Sequence, residues 1–314
     1  MTILPWQNSL WDSIARQPLP SALLLAGREG IGKFAFAKAL AQRILCESSQ
    51  ACGKCRSCRW FESEVHPDFH LLEPQEEQES ERKKVRVIKV DQIRELNEKA
   101  VIASSGIRIF MLHPAESMNA NAQNALLKIL EEPPAKVLII LVSHQTQRLL
   151  PTVLSRCRLM SIPEAKRETA LKWLIEQKVA QPEPALAAAG GAPLLALRLS
   201  GRSEARTMFM KELSQSRNAL ALAQVFQKFD SVQVVHWLQQ WTYDLMLQHN
   251  RRKVHYNIDC QAELAILAAQ IGVRAIHALQ RELLAARRVA EHSLNPALFM
   301  EHLSFLYWRY AQHG

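Results

Sequence analysis

The stretch Ala22-Leu23-Leu24-Leu25-Ala26-Gly27-Arg28-Glu29-Gly30-Ile31-Gly32-Lys33 decides the fold. Its first five residues are an unbroken apolar run of strand length, and the next seven fit G-x-x-x-x-G-K. Beyond Lys33 the residues Ala37, Leu40, Ala41 and Ile44 recur on one helical face. Strand, glycine loop and helix in that order are the setting in which backbone N–H groups, a helix N-terminus and a lysine ammonium cradle phosphates. Gly27, Gly30, Gly32 and Lys33 are therefore the candidate phosphate-binding residues.

On the N-terminal side, Trp6, Leu10, Trp11 and Ile14 have near-helical spacing before Pro18 and predict a short packing helix. On the C-terminal side, apolar runs at 69–72, 85–90, 107–112 and 137–142 alternate with helix-period stretches at about 91–103 and 117–131. That alternation predicts a parallel sheet covered on both faces. The charged segment 75–84, QEEQESERKK, reads as a solvated hairpin tip without chemistry.

After Arg158-Leu159-Met160-Ser161-Ile162 and Pro163 only helical patterns follow. They run through Trp173 and Leu186, break at Gly190-Gly191 and again at Leu199-Ser200-Gly201, and resume with Val234, Trp237, Leu238, Trp241 and Leu245. A chain of 314 residues exceeds what one core usually organises, and these breaks divide it into a sheet domain, 1–163, and helical segments, 164–201 and 202–314. Four of the seven tryptophans lie beyond residue 172 in helical context, which points to an all-α core rather than a base-stacking platform.

Hydrophobic residues at 48% and charged residues at 22% exclude wholesale disorder and a collagen-like chain. The net charge of +9 favours anionic partners but is spread as +4, +1 and +4 over the three segments, so no basic arm concentrates it. A diffuse phosphate-tracking surface and simple solubility both fit that spread. No run approaches the ~18 apolar residues of a membrane span, and the start lacks a charged region followed by an apolar one. The cytoplasm is the expected compartment.

Two features break the phosphate loop as a hydrolytic site. The eighth position is Phe34, where a working loop supplies a Ser or Thr hydroxyl to Mg²⁺. The candidate acidic strand end at 107–112 runs into His113-Pro114-Ala115-Glu116, so an imidazole and a proline stand where an acidic pair belongs. Glu116 lies beyond the strand end and reads as a helix-start carboxylate. No Mg²⁺ site is expected, and the sequence leaves nucleotide binding itself open. A self-sufficient P-loop ATPase using Lys33 and another acid is the alternative.

Cys46, Cys52, Cys55 and Cys58 give C-x5-C-x2-C-x2-C, a spacing that suits tetrahedral Zn²⁺. Iron–sulfur ligation is the rival, although the further Cys-Pro usual in such runs is absent. Four thiolates leave no open coordination position, so the metal's role is structural. Lys54, Arg56 and Arg59 interleave with these cysteines and offer a nucleic-acid clip, against which Trp60 and Phe61 read as packing residues. Cys157 and Cys260 are isolated and read as buried apolar residues.

GREGIGK, the inserted four-cysteine module, HPDFHLL, VIKVDQIREL, NAQNALLKILEEPP and LSRC together resemble the bacterial replicative clamp-loader subunits of the AAA+ class. The resemblance is strong over 1–163, moderate over 164–201 and weaker over 202–314. It implies an α/β P-loop (AAA+) parallel-sheet domain, then a small helical lid domain and an all-α C-terminal collar domain. Five such subunits form an open ring, with ATP sites between neighbours. The Ser-Arg-Cys motif falls on Ser155, Arg156 and Cys157, and implies that Arg156 enters the ATP site of an adjacent motor subunit. The implied partners are gamma/tau-type motor subunits and a delta-type subunit and, through the complex, a sliding clamp and primer-template DNA. Ser143 falls where the family has a polar phosphate sensor, with a capping residue as the other reading. Pro193, in Gly190-Gly191-Ala192-Pro193, replaces the nucleotide-sensing arginine of active members. Glu131-Glu132-Pro133-Pro134 reads as chain termination and solvated charge.

Overall fold

Ala22–Ala26 (β1) is buried along its whole length, as an apolar run without alternation must be when both faces of its sheet are covered. It lies in a five-stranded sheet with Phe69–Leu72 (β2), Arg108–Leu112 (β5), Val137–Ser143 (β6) and Arg158–Ser161 (β7), in the order β2-β5-β6-β1-β7. Every pairing in it is parallel. In register Ala22 stands beside Ile139 and Leu23 beside Arg158, so the two strands flanking β1 are fixed residue by residue.

The computed structural model describes residues 3–15, 17–80, 83–102, 106–201, 203–215, 218–290 and 295–313. They divide into two units, 1–169 and 170–314, each with its own hydrophobic core. The first unit carries a 3-10 turn at Pro5–Gln7 and helices α1 (Asn8–Ala15), α2 (Lys33–Leu45), α3 (Arg56–Glu62), α4 (Val90–Val101), α5 (Ala120–Glu131) and α6 (Pro151–Leu154). Helix α5 starts where the Asn119 side chain accepts from the Ala122 N–H at 2.9 Å, and its inner face buries Ala122, Leu126, Ile129 and Leu130.

One expected sheet strand is not there. Within 85–90, Lys83–Val87 (β4) pairs antiparallel with Gln75–Ser80 (β3) in a separate two-stranded hairpin. The charged residues of both strands suit a ribbon outside the doubly covered sheet. Ile88, the fully buried end of the run, makes an isolated parallel bridge to Met118. Residues 81 and 82 of the expected hairpin tip, and residue 103 of the expected helix, lie outside the described residues.

The second unit is helical: α7 (Arg167–Glu176), α8 (Pro182–Ala188), α9 (Pro193–Ser200), α10 (Ser203–Gln215), α11 (Ala219–Phe226), α12 (Ser231–His249), α13 (Gln261–Gln270), α14 (Val273–Ala290) and α15 (Pro296–His313). The α8 helix ends on Gly190 and Gly191, both at positive φ, where the Gly191 N–H reaches back to the Leu186 carbonyl. Trp237, Leu238, Trp241 and Leu245 on α12 are buried with Phe209, Phe226, Leu283 and Leu303, the all-α core the periodicity predicts. Among the described residues no single helix is long and apolar enough to cross a membrane; one pair, 258–270 and 273–290, meets the test together but is bent by 113°.

Candidate functional site

The C-terminal ends of parallel strands share one edge of a sheet, and the crevice there is where α/β folds bind ligands. This edge gathers the glycine loop after β1, His113 and Glu116 after β5, and Ser143 and His144 at the end of β6. The loop takes its bends at Gly27 (φ 147°) and Gly32 (φ 90°). A side chain at Gly27 would be strained by its φ of 147°, and its Cβ would lie 2.6 Å from the Ile31 Cδ1 atom, which would have to move. The 3-10 turn at the N-terminus fastens the loop from outside: the Trp6 indole N–H donates to the Ile31 carbonyl at 2.9 Å, and the Gln7 amide donates to those of Ile31 and Gly32, each at 3.1 Å.

Lys33 opens α2, as G-x-x-x-x-G-K requires, but its ammonium turns back into its own loop. Nζ donates to the carbonyls of Gly27 at 2.6 Å and Arg28 at 2.5 Å, with the residue only 2% exposed. Burial pulls its pKa down to about 8 against the opposing charges of Glu116 and Glu29. Phe34 stacks on His113 with ring centroids 4.3 Å apart and planes 16° apart, and His113 meets His144 edge-on at 5.4 Å. Burial first, then the nearby His144, lower the His113 pKa to about 4. Two aromatic rings thus stack where a working site has a hydroxyl and an acid.

Glu116 lies in the first turn of the 3-10 helix Ala115–Ser117, as a helix-start carboxylate; it is buried, and its Oε1 accepts the His144 backbone N–H at 2.9 Å, tying the turn after β5 to the end of β6. Its sequence position shows only that it follows a strand; the backbone donor comes from residue 144, which local reasoning does not reach. Ser143 is fully buried at the end of β6, and its Oγ accepts the Gln145 N–H at 3.2 Å. It closes a local turn rather than capping a helix.

Arg156 lies in the turn between α6 and β7, at the N-terminal end of β7, whereas the glycine loop leaves β1 at the C-terminal end of the same parallel pair. Arg158, the first residue of β7, stands four residues before Gly27 in register, roughly 13 Å at strand rise. Arg156 donates from Nη1 to the Thr152 carbonyl at 3.0 Å and the Ser155 Oγ at 3.3 Å, and from Nη2 to the Glu131 carboxylate at 2.7 Å. Glu131 is therefore not merely solvated charge at a helix end. A carboxylate in the last turn of a helix faces the negative end of the dipole, and that misfit was a usable signal of a nearby cation. Cys157 is half-buried, with its thiol pushed up to about 11 by burial, which suits packing rather than nucleophilic attack.

The four cysteines converge. Cys46 ends α2, Cys55 caps α3, Cys58 lies in its first turn, and all four Sγ atoms lie within 4.8 Å of one another. A tetrahedral ion with Zn–S near 2.3 Å places its sulfurs about 3.8 Å apart; here Cys46 is 3.6 Å from Cys52 and 4.0 Å from Cys55. An iron–sulfur cluster interposes irons and sulfides between its thiolates and spreads some of them further, so the donor set fits a single ion. Backbone N–H groups of Cys52, Cys55 and Cys58 each donate to a cysteine sulfur at 3.4 Å, which favours thiolates.

His66, which the sequence reading passed over, supports this module. Its Nδ1 accepts the Asp68 N–H at 3.1 Å, so Nε2 carries the proton and donates to Ser57 Oγ at 2.9 Å; Ser57 in turn donates to the Leu45 carbonyl at 2.5 Å. This relay joins the end of α2 to α3, the two elements that bring the cysteines together. Of the interleaved cations, Arg56 stacks 4.2 Å over Trp60, and Arg59 Nε donates to the Lys54 carbonyl at 3.0 Å.

Fold and site define a P-loop α/β module with a five-stranded parallel sheet. A family described as DNA polymerase III, delta subunit, matches residues 6–166, and one described as DNA polymerase III, delta subunit, C terminal, matches residues 200–308. DNA polymerase III subunit delta' of Pseudomonas aeruginosa is 34% identical over 322 residues, covering 96% of each chain. The subunit delta' of Escherichia coli is 30% identical over 279 residues, covering 82% of this chain and 79% of the other. A DNA polymerase III gamma subunit-related protein from Thermotoga maritima, of solved structure, aligns over 98% of this chain and 100% of its own, at 16% identity and a TM-score of 0.47. The chain belongs to the DNA polymerase III subunit delta' family.

Proposed function

We propose that this chain is the non-hydrolysing subunit of a replicative sliding-clamp loader. It stands in a five-membered ring with gamma/tau-type motor subunits and a delta-type subunit, and supplies Arg156 to the ATP site of the adjoining motor. Through the ring it helps place a sliding clamp on primed DNA during replication in the cytoplasm. The four cysteines hold a structural zinc ion, and the helical region serves as a lid over 164–201 and an oligomerising collar over 202–314.

The observation that carries this reading is the separation of the two halves of an ATPase site within one chain. The loop edge presents a lysine bonded to its own carbonyls and an aromatic stack. The arginine lies at the N-terminal end of β7, whereas the loop leaves the C-terminal end of the neighbouring parallel strand. A guanidinium beside a γ-phosphate offsets charge developing during transfer and contributes about 10³–10⁵ in rate. In this reading it does so for a neighbour.

The test is Arg156→Ala in the reconstituted complex, with assembly followed by native mass spectrometry. Hydrolysis at the adjoining site is expected to fall about 10³-fold with the ring intact. Unchanged turnover in an intact ring would remove the role.

A further inference from the structure

We infer that Glu131 is a positioning residue for Arg156, holding the guanidinium from behind so that its remaining donors face the neighbour's phosphate. The inference rests on the proposed role of Arg156 and assigns a residue to it.

The guanidinium has five N–H donors in a fixed plane. Here Nη1 donates to the Thr152 carbonyl and Ser155 Oγ, and Nη2 lies 2.7 Å from the Glu131 carboxylate as an ion pair. Nε–H, which meets no acceptor among the described residues, is left to meet an anion.

The anchor is stiff. Glu131 ends α5, the Glu132 N–H still closes onto the Lys128 carbonyl, and Pro133 and Pro134 fix the chain immediately beyond. Arg156, by contrast, follows a four-residue helix and carries a long side chain with about 2 kcal/mol of rotamer entropy. Pairing with a side chain carried on a fixed stretch of backbone restricts the guanidinium before a partner arrives.

Stability does not explain the pair. The Arg156 and Glu131 side chains are 35% and 50% exposed, and solvated pairs of this kind contribute about 0–1 kcal/mol. Two carboxylates at the negative end of α5 are also unfavourable for the helix by themselves. The arrangement is better accounted for by what it does to the orientation of Arg156.

The test is a double-mutant cycle in the reconstituted complex, using Glu131→Ala, Arg156→Ala and both together, with Glu131→Gln as the conservative variant. Glu131→Ala is expected to lower kcat at the adjoining site about tenfold, as loss of orientation does, with KM, ring assembly and thermal unfolding unchanged. Glu131→Gln, which keeps an acceptor oxygen, is expected to recover part of that loss. In the Arg156→Ala background Glu131→Ala is expected to have no further effect, because its action passes through the arginine. Wild-type kcat in Glu131→Ala while Arg156→Ala is slow would overturn this inference and leave the arginine's role standing. So would an equal loss in both backgrounds, the mark of a general structural role. No effect of Arg156→Ala itself would remove the arginine's role, and this inference with it.

Discussion

Replacing Asp244 by alanine is expected to destabilise the helical unit by about 3–5 kcal/mol. Its carboxylate is fully buried on α12 and accepts the backbone N–H groups of His255 at 2.8 Å, Tyr256 at 3.0 Å and Asn257 at 2.7 Å, together with Asn257 Nδ2 at 2.8 Å. His255 and Tyr256 reach the surface, so their donors can turn to water once the carboxylate is gone. Asn257 is fully buried, and its two donors would be stranded at about 1–3 kcal/mol each. Asn257 also accepts from Arg206 Nη2 at 2.6 Å, and Arg206 pairs with Asp259 at 2.8 Å, so the loss spreads through the loop after α12. Asp244→Asn is expected to be nearly as harmful, because it puts an N–H₂ group among donors. The assay is urea unfolding followed by tryptophan fluorescence, since Trp237 and Trp241 lie in the same core. A loss below about 1 kcal/mol, the scale of one ordinary hydrogen bond, would refute the reasoning.

Three further outcomes are expected. Because His113 is held neutral in the fold with its pKa near 4, while its unfolded value is about 6.5, its contribution to stability is complete above pH 6.5 and is lost as pH falls towards 4. His66 and His70 are lowered as well, chiefly by burial, so His113→Gln should reduce but not abolish the acid slope of the urea midpoint; an identical slope would contradict the assignment. Cys157 and Cys260, raised to about 11 and 12 chiefly by burial, should resist iodoacetamide at pH 8 until the chain is unfolded, and labelling of native protein at the rate of a free thiol would count against their packing role. Purified protein should carry about one zinc ion by emission spectroscopy, lost together with thermal stability in Cys58→Ser; iron in its place, or no metal, would overturn the zinc reading.

What was legible in the sequence was legible for physical reasons. The fully apolar run 22–26 could only be a doubly covered strand, and a glycine loop ending in lysine fixed what followed it. Four cysteines within thirteen residues carry their own geometry, because short spacing alone brings them together. The 85–90 run misled because apolar residues at a strand's end resemble those of a core strand; only pairing shows that Lys83–Val87 belongs to a hairpin. Gln7 left no local trace, since its partners at Ile31 and Gly32 are more than twenty residues away. His66 gave none either, as its role depends on a serine in α3. Asp244 did leave a signal that the reading overlooked: it falls seven residues after Trp237 and three after Trp241, a charge on the helix face those residues bury. A carboxylate at such a position requires dedicated donors.

Lys33 is bonded to carbonyls of its own loop, and under the proposed function the chain acts instead through Arg156 on another molecule. The most direct measurement is calorimetric titration of the isolated chain with ATP in the presence and absence of Mg²⁺, alongside Lys33→Ala. No saturable Mg²⁺-dependent binding is expected, and Lys33→Ala should behave like the parent chain. Saturable binding that requires Mg²⁺ and disappears in Lys33→Ala would contradict the claim.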